Sequence, residues 1–99
     1  MRVILHKNSN ESQVVSFYDT ILGRIYLILE SESDSGLRAV KPRDFQVSDP
    51  DLEFFEELTN SDGEKIFVDR DAVANGLLDR MIDFDREAVE TFISILKLR

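Results

Sequence analysis

The chain has no cysteine and no tryptophan, one histidine, four glycines and two prolines in 99 residues. Without cysteine there is no disulfide framework, no thiolate nucleophile and no Cys-ligated zinc, and no redox compartment can be inferred. With His6 as its only histidine, one chain cannot assemble a His-based metal cluster. A Ser-His-Asp arrangement around His6 lacks the Gly-x-Ser-x-Gly elbow that would support it. The glycines at 23, 36, 63 and 76 lie too far apart to form a phosphate-cradling loop. The apolar run Val3-Ile4-Leu5 is far too short for a signal peptide or a membrane span, and no later run approaches that length. A cytoplasmic protein without a membrane partner, metal or cofactor is expected.

What is present is enough for one core. Apolar residues make up 42% of the chain and include seven Phe, whereas disorder needs low hydrophobicity as well as charge. A chain of this length has too little interior for two cores, so residues 1–99 form one domain. Net charge is −8, and it is unevenly spread. Residues 1–43 hold five acids and six bases, while residues 44–99 hold fifteen acids and six bases. Direct contact with a phosphate backbone needs a basic stripe and is disfavoured for the acidic half.

Arg2 to His6 reads as a short buried strand. From Ser12 to Leu22, 100° steps place Val14, Val15, Phe17, Tyr18, Ile21 and Leu22 in one arc, with Ser16 and Thr20 opposite. The pairs Val14-Val15 and Phe17-Tyr18 break strand alternation, so this segment is predicted helical. Asn10 and Gln13 would form a capping box and Gly23 the C-terminal cap. Arg24 to Glu30 and Leu37 to Lys41 read as a β-hairpin across Ser31 to Gly36, ended by Pro42. Ser48, Pro50 and Asp51 resemble a helix start, so Asp49 to Leu58 is predicted helical. A competing hairpin pairs Phe54 to Thr59 with Glu64 to Val68 across Asp62-Gly63. Lys65 to Val68 is a strand, Asp69 caps a helix running to about Ile82, and Asp83 or Asp85 caps another.

The resulting order, β-α-β-β-α-β-α-α, matches the ferredoxin-like βαββαβ plan with two additional C-terminal helices, within an α+β fold class. The match is one of topology only, and that plan hosts many functions. Residues 1–68 would form the sheet and residues 69–99 a helical part. Ile25 to Leu29 is apolar on both faces, so Tyr26 and Ile28 need cover: the C-terminal helices, or a second copy of the chain in a homodimer.

The Asp-x-Asp pairs 49/51, 69/71 and 83/85 invite a divalent-cation reading, but each stands at a predicted helix start, where Asp caps free N–H groups. A calcium loop centred on Gly63 would place Leu58 where an acid is required. Arg38, Lys41 and Arg43, with Arg24 on the paired strand, form the only basic cluster, which ion pairing with the acidic half accounts for. These features favour a non-enzymatic protein-interaction or regulatory domain of adaptor, inhibitor or immunity type. Its candidate partner-binding residues are Glu53, Glu56, Glu57, Asp79, Asp83, Glu87 and Glu90, facing a basic protein. The alternatives are an acidic nucleic-acid mimic that blocks a DNA- or RNA-binding protein, and an enzyme using clustered carboxylates with a divalent ion.

Overall fold

The structure, a computed structural model, describes residues 1–30 and 36–99. It is mixed α+β: seven strands, all paired antiparallel, precede three helices. The strands are β1 (Arg2–Leu5), β2 (Glu11–Thr20), β3 (Gly23–Leu29), β4 (Arg38–Val40), β5 (Phe45–Asp49), β6 (Phe55–Thr59) and β7 (Lys65–Asp69). The helices are α1 (Arg70–Ala74), α2 (Leu77–Ile82) and α3 (Arg86–Lys97). The strand order β4-β3-β2-β1-β5, with β7 and β6 branching from β2, is not the ferredoxin-like order, and no helix separates β1 from β2.

The segment predicted to be the first helix is the long strand β2, and a β-bulge explains the misreading. Val14 pairs with Ile28 and Ser16 with Leu27, so Val15 and Ser16 together oppose a single residue. The extra residue brings Val14 and Phe17 to the same face, a spacing of three that imitates a helical period. Val15 packs on the other face. Ser16, predicted to face solvent, is buried and donates its hydroxyl to the Phe67 carbonyl at 2.9 Å. Ile21 and Leu22, predicted to face the core, form the exposed β2–β3 turn, and Gly23 at φ 116° serves that turn instead of a helix end. Asn10 caps nothing; its own N–H is accepted by the Asn8 side chain.

The helix predicted over Asp49 to Leu58 is also absent. Asp49 ends β5, and the competing hairpin forms, with Phe55 opposite Asp69 and Thr59 opposite Lys65. Asp49 and Asp51 each accept an N–H from two residues on, which gives a turn the look of a helix start. The β3–β4 hairpin is as predicted, although its tip at 31–35 lies outside the described residues.

Strands β4 and β5, at the two ends of the main path, are joined by Lys41 to Asp44, a link that contains a 3-10 turn. Four inter-strand spacings would span roughly 19 Å in a flat sheet, farther than such a link reaches at about 2 Å per 3-10 residue. The sheet therefore curls, bringing Phe45 edge-on to Tyr26 with ring centroids 5.1 Å apart. Inside the curl lie Val3, Leu5, Val14, Phe17, Ile28, Val40 and Phe45. Phe17 stacks on Phe67 at 4.9 Å. The helices cover the outer face, where Met81, Val89 and Phe92 pack against Val15 and Leu29.

Cover for Tyr26 and Ile28 thus comes from the curled sheet of the same chain. The helices cover Leu27 and Leu29, on the opposite face. Ile28 is 0% exposed and has no area to offer a second subunit.

Candidate interaction surface

The C-terminal helices turn through two corners. At the first, the single helix predicted from Arg70 to Ile82 breaks at Asn75-Gly76, with Gly76 left-handed at φ 64°. Asp69 caps α1 as predicted, accepting the Asp71 N–H at 3.0 Å. At the second corner, Asp85, one of the two predicted candidates, caps α3, accepting the Glu87 and Ala88 N–H groups at 3.0 and 3.4 Å. Between α2 and α3 stand Asp83 and Phe84.

Phe84 ends α2 in the position where glycine is usual. Its N–H donates to the Met81 carbonyl at 3.1 Å, and the Asp85 N–H donates to the Arg80 carbonyl at 2.9 Å. That paired pattern is a Schellman motif, whose first residue past the cap is left-handed. Phe84 adopts φ 61°, one of two non-glycine residues with positive φ among those described. A left-handed L-residue costs about 1–2 kcal/mol, and a bulky one is an outlier. The residue is also 64% exposed, close in sequence to Ile82, which is exposed too. Folding favours neither the conformation nor the exposure.

One edge of the ring is held. A Cβ placed on Gly36 would lie 2.4 Å from Phe84 Cδ1 and 2.8 Å from the Met81 carbonyl oxygen. The same carbonyl accepts the Leu37 N–H at 3.2 Å, which latches the corner to the strand after the hairpin tip. Only glycine permits that approach.

Carboxylates flank the corner along the chain. Between Leu77 and Phe92 there are five acids and two arginines. Asp79, Asp83, Glu87 and Glu90 are exposed. Arg80 donates to Asp85 at 2.8 Å and reaches Glu87 at 4.0 Å, and Arg86 pairs with Glu90 at 3.4 Å. Among the described residues, Asp79 and Asp83 form no ion pair. The Arg80 hydrogen bond, helped by the α3 N–H groups and opposed by burial, holds the Asp85 carboxyl below its ordinary range and raises Arg80.

The remaining predicted acids stand elsewhere. Glu53 lies in the β5–β6 connection, and Glu56 and Glu57 lie on β6, where adjacent residues point to opposite faces. Glu57 pairs with Lys65 at 3.3 Å. These three do not make the single helical face that the sequence suggested. Phe84 and Ile82 were not among the predicted contact residues. The available signal was a large aromatic between Asp83 and Asp85, where one helix must stop and another start.

Two further features stand out. Ile21 and Leu22 are large apolar residues held in solvent at a turn, 102% and 82% exposed, beside an Arg24–Asp19 ion pair at 2.8 Å. Asp69, 0% exposed, pairs with Arg99 at 2.7 Å, and the Arg99 guanidinium lies 3.9 Å from the centre of the Phe54 ring. Burial lowers the Arg99 pKa, but its bonds to Asp69 and Asp71 outweigh this and hold it above its ordinary value. Among the described residues, no three His, Asp or Glu side chains are grouped to hold a metal ion. Among the described residues, no helix is long and apolar enough to cross a membrane.

No family model matches the chain, and neither the curated proteins nor the solved structures yield a match.

Proposed function

We propose that the chain is a non-enzymatic protein-interaction domain of the cytosol, whose α2–α3 corner docks a basic protein. The observation that carries this reading is Phe84, a bulky aromatic in the left-handed region and 64% exposed. Strained residues concentrate at binding and switch sites. An aromatic anchor ringed by charge is the usual composition of an interface hot spot. Asp79, Asp83, Glu87 and Glu90 supply the rim, which steers a cationic partner and rejects an acidic one. An apolar centre favours a folded protein over the role of nucleic-acid mimic, for which rows of carboxylates would suffice.

The test is affinity capture from native cells using the parent chain, Phe84→Gly and Asp83→Lys/Glu87→Lys. A basic protein captured stoichiometrically by the parent should be lost with Phe84→Gly, and its retention should weaken with rising salt. An identical set of captured proteins from all three would overturn the proposal.

A further inference from the structure

A cleft of about 340 Å³ opens between the β1–β2 turn, β4 and the 3-10 turn, lined by the polar side chains of His6, Lys7, Glu30, Arg38, Arg43 and Asp44. The basic cluster read from the sequence is partly regrouped here. Arg24 is paired with Asp19 on another part of β3, and His6 and Lys7 join Arg38 and Arg43. The cleft's two acids are already engaged. Glu30 accepts from Arg38, and the Asp44 carboxylate accepts the Lys41 backbone N–H at 2.9 Å. Among the described residues, Lys7 and Arg43 form no ion pair. In a chain of net charge −8, these side chains make a local positive site.

The framework is ordered by the backbone. The His6 N–H donates to the Asp44 carbonyl at 3.0 Å, Leu5 pairs with Phe45, and Pro42 opens the turn that presents Arg43. The cleft is in the size range of small-ligand sites and much larger than a bare phosphate ion. Guanidinium and ammonium groups on two walls suit the oxygens of a phosphoryl group.

We propose that this cleft binds a phosphomonoester, with the phosphoryl group between Lys7 and Arg43 and the esterified part against the β4 wall. The proposal does not depend on the docking role of the α2–α3 corner.

The experiment is a ¹⁵N NMR titration of the full chain with phenyl phosphate and with orthophosphate at fixed ionic strength. Saturable shifts are expected at His6, Lys7 and Arg38 to Asp44, with phenyl phosphate binding at least threefold tighter. Lys7→Gln/Arg43→Gln should weaken it at least fivefold, and Lys65→Gln, on β7, should leave it unchanged. Both altered side chains of the double variant are exposed, so its spectrum should keep the parent's dispersion. Cosedimentation with vesicles carrying phosphatidic acid separates the two sources of this group. None assigns the site to a soluble ligand, whereas cosedimentation lost in the double variant assigns it to a lipid headgroup. Linear or scattered shifts, equal affinity for the two probes, or an unaffected double variant would overturn the proposal.

Discussion

Gly36→Ala should loosen the α2–α3 corner by displacing Phe84 while leaving its acidic side chains unaltered. The new Cβ would stand 2.4 Å from Phe84 Cδ1 and 2.8 Å from the Met81 carbonyl oxygen. Ordinary carbon–carbon contact is about 3.5–4.0 Å, so the ring must retreat by roughly 1 Å. A ring can swing, but the carbonyl belongs to α2 and holds the Leu37 N–H at 3.2 Å, so the end of the helix must move as well. Overpacking of this kind costs about 1–3 kcal/mol. Alanine recovers about 0.4–1 kcal/mol by restricting the unfolded chain. The net loss is about 1–2 kcal/mol, or a melting temperature lower by roughly 4–15 °C for a domain of this size. Calorimetry measures it, and a double-mutant cycle locates it: in the Phe84→Ala background the added cost should shrink, because the closest clash is gone. An unchanged or raised melting temperature for Gly36→Ala would refute the close approach on which the latch depends.

Phe84→Gly should stay within about 1 kcal/mol of the parent in chemical denaturation, since relief of the left-handed strain offsets lost ring contact. A loss above 3 kcal/mol would make Phe84 a core residue. Arg99→Met should destabilise by about 2–4 kcal/mol, because it leaves Asp69 buried with one fewer partner. A change below 0.5 kcal/mol would refute this. The Asp85 carboxyl titrates below its unfolded value, so its stabilising contribution is present above that value, about pH 3.9, and is lost as pH falls through the folded one. Melts of Asp85→Asn, which keeps a capping side chain without the charge, should lie below the parent at pH 7 and converge with it near pH 2. A constant gap would contradict the ion pair.

The parts legible in the sequence were those governed by local chemistry. Arg2–Leu5, the β3–β4 strands and the caps at Asp69 and Asp85 follow from β-branched runs and short acidic side chains beside free N–H groups. β2 was hidden because one bulged residue converts an alternating pattern into a spacing of three. The turn before β6 was hidden because Asp49 and Asp51 satisfy backbone donors in a turn as they would at a helix start. The acids of the corner were legible as surface charge. Their apolar centre was not, because Phe84 becomes exposed only through the Schellman turn that ends α2.

The most direct test of the docking corner is site-specific photocrosslinking in native cells, with a photoreactive phenylalanine analogue at position 84 and, separately, at Ile21. The left-handed backbone at 84 and the exposed turn at 21 both present the probe to solvent. A single basic protein crosslinked from position 84 and absent from position 21 is the predicted result. Crosslinks from position 21 alone would contradict the account and move the interface to the β2–β3 turn.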